Sequence, residues 1–211
     1  MNEAAPRTRI QKRNTGVILD AALEVFSAHG FRGATLDQIA RAAGLSKPNL
    51  LYYFPSKEAI HAALIAGLLD TWLDPLRRLD PDGDPVAEIL GYVHLKLEMA
   101  RDYPRESRLF ANEILQGAPR ILGEIEGPLR ALVDEKAAVI RGWARAGRIS
   151  PVDPYHLIFS IWATTQHYAD FDVQVRGILQ PSDAAHFEDA HAFLETFYTR
   201  ALRPDQEPGA R

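Results

Sequence analysis

The sequence predicts an all-α fold in which a small helical head is joined to a larger helical body. Apolar residues recur at the helical spacing of three and four positions through nearly the whole chain. Serine, threonine, glycine and proline stand where such segments begin or end. No segment shows the strict alternation of a half-buried strand, and the 211 residues are enough for a small domain joined to a larger one.

Three short helices are predicted at the start of the chain. The first apolar stripe ends at Gly30, a residue type that often follows a helix C-terminus. Thr35, with Gln38 three residues later, has the pattern of a capping box at the start of the second helix. Ser46 precedes the third helix, whose first turn holds Pro48, where a missing N–H costs little.

Longer helices are predicted after the head. Ser56 precedes a helix that we expect to end at the Asp74-Pro75 pair. Further helices are expected at about 85–102, 104–116, 119–147 (with an interruption near Gly127-Pro128), 153–177 and 182–202. The predicted domains are a head at 1–55, with a basic arm at 1–13, a body at 56–203 and a disordered tail at 204–211.

The charge distribution favours a protein that binds phosphate groups through its N-terminal part. The net charge is −4, but residues 1–60 hold eight basic against five acidic residues, and the remainder is acidic. The chain has no cysteine, which excludes disulfides and thiolate chemistry. No apolar run approaches the ~18 residues of a membrane span, and the polar N-terminus is not a secretory signal. We therefore expect a cytoplasmic protein with no membrane association.

The segment 35–54 has the pattern of a helix-turn-helix, in which the second helix enters the major groove of DNA. Lys47 and Lys57 can bind phosphates, Asn49 can pair with a base edge and Leu51 can touch a thymine methyl. The candidate DNA-binding residues are Thr35, Ser46, Lys47, Pro48, Asn49, Leu51, Tyr53 and Lys57. Leu50 and Phe54 should point into the head's core. An ordinary helical hairpin with a charged surface is the alternative.

The head resembles the N-terminal domain of the TetR family of repressors. The matching features are the A-x-x-x-F-x-x-x-G-F helix at 22–31, the T-x-x-x-I-A-x-x-A-G helix at 35–44 and the Ser-Lys-Glu that opens the fourth helix. Leu51 departs from the tyrosine that many members carry. The resemblance implies an all-helical homodimer that binds a palindromic operator. It also implies a ligand in the C-terminal domain that changes the spacing of the two heads.

The body contains a candidate ligand site. Trp162 and Gln166 are four residues apart and so share one face of a helix. A glutamine amide offers a donor and an acceptor side by side, which matches the amide edge of a pyrimidine base, and an indole face can stack on its ring. The alternative is that Gln166 binds a neighbouring helix and the tryptophans belong to the core.

The stretch KLEMARDYPRESRLF at 96–110 and the segment 129–171 resemble the pyrimidine-sensing members of the same family. That resemblance implies uracil or thymine as effector and repression of pyrimidine-utilisation genes. The ligand-binding residues that it implies are Trp72, Phe110, Glu113, Trp162 and Gln166. No cofactor is expected besides the effector.

Two other functions are open from the sequence. One is a TetR-type regulator that senses a more apolar ligand and controls efflux or lipid genes. The other is an enzyme, but the sequence contains no nucleophile-elbow, phosphate-loop or dinucleotide-binding pattern. The seven histidines show no familiar metal-ligand spacing. We therefore predict no catalytic residue and no metal site.

Overall fold

A computed structural model describes residues 9–204, and these residues form two compact units. Unit 1 contains the described residues up to Leu69 together with Arg108–Leu122. Unit 2 contains Asp70–Ser107 and the described residues from Gly123 onward. No strand occurs between residues 9 and 204, so the all-α prediction is confirmed. The predicted tail at 204–211 and residues 1–8 of the basic arm lie outside the described part, apart from Pro204.

Unit 1 is built on the first helices of the chain. They are α1 (Arg9–Gly33), α2 (Leu36–Ala42), α3 (Lys47–Tyr53), the start of α4 (Lys57–Arg77) and the end of α6 (Pro104–Leu115). Its core includes Ile18, Phe26, Ile39, Leu50 and Ile60, each at most 1% exposed. Leu50 and Phe54 are buried as predicted, so the opposite face of α3 is left for solvent.

Unit 2 is a helical bundle around a continuous apolar core. Its helices are α5 (Pro85–Asp102), α8 (Arg130–Arg145), α9 (Pro154–Asp170), α10 (Asp172–Leu179) and α11 (Ala185–Leu202). A short α7 (Leu122–Glu124) and a π-helical turn (Ile125–Leu129) lead into α8, which places the predicted interruption at Gly127-Pro128. Helix α5 packs against both α9 and α11, and Trp143 of α8 is buried in the same core.

The predicted helix starts are confirmed at three caps. The Thr35 side chain accepts from the Gln38 N–H while the Gln38 side chain accepts from the Thr35 N–H, which completes the capping box. Ser46 Oγ accepts from the Asn49 N–H, and Ser56 Oγ accepts from the Ala59 N–H. These bonds satisfy backbone donors that the first turn of a helix leaves free.

Two predicted boundaries were wrong. Helix α4 does not end at Pro75 but runs to Arg77, because Leu76 is fully buried and Asp74 pairs with Arg78 one turn later. The predicted helix 153–177 is two helices, α9 and α10, separated at Phe171 (φ −114°, ψ 28°). Helix α10 carries the apolar residues Val173 and Ile178 in exposed positions, so its apolar pattern did not mark a buried face. No helix within residues 9–204 combines the length and apolarity that crossing a bilayer requires.

Candidate DNA interface and effector site

The outer face of α3 presents the residues predicted to read DNA. Lys47, Pro48, Asn49 and Leu51 are all exposed. A recess of about 360 Å³ in unit 1 is lined by, among others, Thr35, Lys47 and Lys57. The lining also includes the carboxylates of Asp37 and Glu58, so two acidic side chains accompany the two lysines there.

The two lysines of this recess have different surroundings. Lys47 Nζ is exposed and pairs with the Asp37 carboxylate at 2.9 Å. Lys57 Nζ donates to the carbonyls of Phe31 at 2.8 Å and Ala34 at 2.7 Å. An ammonium group has three N–H donors, and Lys57 uses two of them to bond the last carbonyls of α1 and the residue that follows it.

Tyr53 is held by the first helix. Its hydroxyl accepts a hydrogen bond of 2.7 Å from the Asn14 side-chain amide, and the ring is half-buried. Tyr52 is 71% exposed, and its hydroxyl accepts from Gln11 at 3.4 Å. The sequence pattern singled out Tyr53, but Tyr52 is the more accessible hydroxyl of the pair.

A buried ionic cluster lies in the core of unit 1. Glu113 is 2% exposed, and its two oxygens accept from the Arg120 backbone N–H at 2.9 Å and the Arg120 guanidinium at 2.7 Å. The Arg120 guanidinium also lies 3.5 Å from the centre of the Phe31 ring. His61, 2% exposed, places Nδ1 3.9 Å from Glu113. Burial, opposed by Glu113 and assisted by Arg120 and Lys57, lowers the pKa of His61 to about 4, so this imidazole is neutral at pH 7.

In unit 2, a hydrogen bond between α9 and α5 fixes the side chain of Trp162. Its indole Nε1–H donates to the Tyr92 hydroxyl of α5 at 2.6 Å. Burial raises the pKa of that hydroxyl, so Tyr92 is neutral. Gln166 follows one turn later on α9 and is half-buried, and its side-chain amide has no hydrogen-bond partner within residues 9–204. The indole is therefore held in place while the neighbouring amide remains open to a ligand.

A buried lysine of unit 2 lies against a second tryptophan. Lys96 lies one turn after Tyr92 on α5, is 5% exposed and places Nζ 4.8 Å from the centre of the Trp72 ring. Burial lowers the pKa of Lys96 to about 8, and the charge of Asp170 on α9 partly offsets that shift. Asp170 also accepts a hydrogen bond of 2.6 Å from Ser107 Oγ. Unit 2 thus holds a cationic donor beside an indole ring.

Comparison with known proteins assigns the chain to a family. A model described as "Bacterial regulatory proteins, tetR family" matches residues 18–64, and one described as "YcdC-like protein, C-terminal region" matches residues 65–205. The chain is 48% identical over 200 residues to the HTH-type transcriptional regulator RutR of Escherichia coli K12, with 94% of each chain covered. The chain belongs to the TetR family. It is accordingly a DNA-binding transcriptional regulator and not an enzyme, and regulators of this family bind operator DNA, usually as homodimers.

Solved structures show the same TetR-type fold. The transcriptional regulator SCO4942 of Streptomyces coelicolor aligns with a TM-score of 0.73 at 26% identity, over 90% of this chain and 99% of its own. A fatty acid metabolism regulator of Clostridium perfringens aligns with a TM-score of 0.69 at 18% identity, over 88% and 97%. At that identity the second likeness extends to the fold alone.

The predicted effector residues of this TetR-family chain are divided between the units. Trp72, Trp162 and Gln166 lie in unit 2, whereas Phe110 and Glu113 lie in unit 1. Sequence reasoning did not find Tyr92 or Lys96. Their spacing of four residues on the buried face of α5 was a signal, because a tyrosine and a lysine on such a face require partners.

Proposed function

We propose that this TetR-family chain represses pyrimidine-utilisation genes and that uracil or thymine, bound in unit 2, lowers its affinity for a palindromic operator. Two things support the proposal. The sequence resembles the pyrimidine-sensing members of the family, and the chain is 48% identical to RutR. The observation that carries most weight is the open amide of Gln166 beside the fixed indole of Trp162.

The chemistry of these side chains suits a pyrimidine base. The base has a flat ring whose edge alternates carbonyl acceptors and N–H donors. Gln166 offers both an acceptor and a donor to that edge. The Trp162 ring offers a stacking surface, because its own N–H already bonds to Tyr92. Lys96 supplies a charged donor for a carbonyl oxygen, which forms a stronger hydrogen bond than a neutral donor does.

The chain offers a route by which such binding acts on DNA. Trp72 lies on α4, the helix that starts at Lys57 soon after α3 ends. An effector that binds one orientation of α4 more tightly shifts the population toward that orientation. A coupling free energy of about 1–3 kcal/mol changes operator affinity roughly 5–150-fold, which is enough to switch a promoter.

The test uses a matched pair of substitutions. Calorimetric titration with uracil and thymine should show one site per chain, and saturating base should weaken binding to a palindrome selected from random duplexes. Gln166→Leu removes both amide partners and should abolish base binding, while operator binding without effector stays unchanged. Gln174→Leu, at an exposed glutamine of α10, should behave as the native chain does.

Three outcomes contradict the proposal. If neither base binds the native chain, the effector is of another class, and apolar ligands become the candidates. If a base binds equally well after Gln166→Leu, the site lies elsewhere. If operator affinity is the same with and without saturating base, binding is not coupled to DNA.

A further inference from the structure

Two histidines and a glutamate meet where α5 packs against α11 in unit 2. The imidazole rings of His94 and His191 stack with their centres 3.8 Å apart and an interplanar angle of 24°. Glu195 lies one turn after His191, with 3.9 Å between its Oε2 and His191 Nδ1. One ligand atom from each of the three residues lies within 4.8 Å of the other two.

One nitrogen atom of this cluster lacks a hydrogen-bond partner in the surrounding protein. The Nε2 atom of His94 is buried and has no hydrogen-bond partner among residues 9–204. A buried imidazole nitrogen ordinarily bonds to protein or water. Two imidazoles stacked beside a carboxylate also place three metal-ligand groups together, although 97 positions of sequence separate His94 from His191. Sequence spacing could not reveal this arrangement, because the ligands come from different helices.

We propose that His94, His191 and Glu195 bind one divalent transition-metal ion, with Zn²⁺ as the reference ion. Imidazole nitrogen and carboxylate oxygen are ligands that Zn²⁺ uses at bond lengths of about 2.0–2.2 Å. Donor atoms around a tetrahedral ion are then roughly 3.3 Å apart, so the groups must close by up to about 1.5 Å, and His191 must turn out of the stack so that its in-plane lone pair points at the ion. The side chains of His191 and Glu195 are 43% and 52% exposed, which lets them rotate toward the more enclosed His94.

Three protein ligands leave a fourth position for water or another small ligand. His191 also lines a cleft of about 580 Å³ in unit 2, together with Glu98 and Glu188. Solvent can therefore reach the ion from the cleft, whose lining also includes Asp183 and Arg101; three carboxylates against one guanidinium leave the cleft attractive to cations. The site is separate from Trp162 and Gln166 in its residues, so it stands whether or not the effector is a pyrimidine.

Metal binding at this position has a consequence for the fold. The ion joins α5 to α11, and the three ligands come together only when unit 2 is folded. A ligand that binds the folded state alone stabilises it in proportion to the logarithm of its concentration over Kd. The Tm of the chain should therefore rise with Zn²⁺ concentration.

The experiment uses the full chain without an affinity tag, freed of metal by a chelator. Calorimetric titration with Zn²⁺ at neutral pH should show one ion per chain, and thermal melts should show the rise in Tm. His191→Ala and Glu195→Gln should each weaken Zn²⁺ binding about 10-fold or more, because loss of even an outer-shell partner costs 10–100-fold. The control is His156→Ala, at an exposed histidine of α9, which should bind Zn²⁺ as the native chain does.

Two results would overturn the site. One is the absence of Zn²⁺ binding and of any Tm change in the native chain. The other is native affinity in both His191→Ala and Glu195→Gln, which would place the ion elsewhere. Both variants change exposed or half-exposed side chains, and circular dichroism verifies that they fold. Uracil titration of the metal-free chain separates this result from the effector proposal, because the two sites share no residue.

Discussion

At the scale of single residues, Lys96 is buried at a cost in stability. The Lys96 residue is 5% exposed, so its ammonium group loses most of its hydration, and the pKa of about 8 expresses that cost. The Trp72 ring and the Asp170 charge offset part of it. A protein that needed only a packed core could place a methionine there, so we expect the lysine to serve the ligand.

Lys96→Met should therefore raise stability and reduce effector binding. At pH 7 the unfolded chain keeps its lysine charged at no cost, whereas the folded chain must bury it. Removing the charge should stabilise the fold by about 1–3 kcal/mol, seen as a higher Tm. Calorimetry should show at least tenfold weaker uracil binding. A variant that is less stable and binds uracil normally would show that Lys96 is structural.

His61 makes unit 1 sensitive to acid. Its pKa falls from 6.5 in the unfolded chain to about 4 in the folded chain, so the unfolded state takes up a proton first as pH falls. The stability that neutral His61 provides is complete above pH 6.5 and is lost as pH falls toward 4. The loss is about 3 kcal/mol at most.

The measurement is the free energy of unfolding by urea between pH 7 and pH 4. His61→Gln keeps a polar side chain that does not titrate and should flatten the decline in this range. His29→Gln changes an exposed histidine of the same unit and should leave the decline as in the native chain. Equal slopes in all three chains would contradict the role of His61.

At the scale of elements, Gly30 sets the shape of α1. Its backbone (φ 65°, ψ 171°) lies where glycine alone is comfortable, and the helix kinks there before Phe31 and Gly33. Gly16, in the same helix, is helical and exposed, and an added Cβ would meet nothing within 4 Å. The two glycines therefore lie in the same helix, but only Gly30 has a backbone conformation that requires glycine.

Gly30→Ala should destabilise the chain by about 1–3 kcal/mol, because alanine cannot adopt the kink without strain. Gly16→Ala should stabilise it by about 0.5–1 kcal/mol, because alanine favours the helix and loses less entropy on folding. Thermal melts of both variants against the native chain measure the difference. Two shifts in the same direction would mean that the kink is not required.

The same elements show what the sequence could and could not predict. Helix caps depend on residues three positions apart, so the sequence alone predicts the capping box of Thr35 and Gln38. The break at Phe171 has no proline or glycine to mark it, and helix α10 continues the apolar pattern on an exposed face. The spacing of four residues predicts that Trp162 and Gln166 share one face of a helix. Tyr92 bonds Trp162 from α5, Lys96 of α5 lies against Trp72 of α4, and Arg120 binds Glu113 after a turn of the chain, so sequence spacing alone could not predict these contacts.

At the scale of the whole molecule, exposed aromatic residues indicate where a second chain packs. Phe193 and Phe197 on α11 are 60% and 47% exposed and stack with ring centres 5.9 Å apart. Phe159 on α9 is 46% exposed. Aromatic side chains in such positions are typical of an interface, so we predict that the homodimer packs through α9 and α11, within the sequence segments 153–177 and 182–202.

Replacing Phe193 and Phe197 together by glutamate should convert the dimer to a monomer, because a two-fold interface buries each charge twice. Light scattering at micromolar concentration measures the mass, and affinity for a palindrome should fall at least tenfold. Leu115→Glu changes an 83% exposed leucine of α6 and should leave the dimer intact. A dimer that survives the double substitution would place the interface on other helices.

The positions of the three tryptophans give the two units different spectroscopic signals. Trp72, Trp143 and Trp162 all lie in unit 2, and unit 1 has none. Indole fluorescence therefore follows the unfolding of unit 2 alone, whereas far-ultraviolet circular dichroism follows the helices of both units. If the two denaturation curves coincide, the two units unfold in one cooperative transition. If the fluorescence changes at a higher denaturant concentration than the circular dichroism does, unit 1 unfolds before unit 2. The cooperativity of unfolding can therefore be measured on the native chain without an added label. Indole emission also gives a direct optical signal for any base that stacks on Trp162.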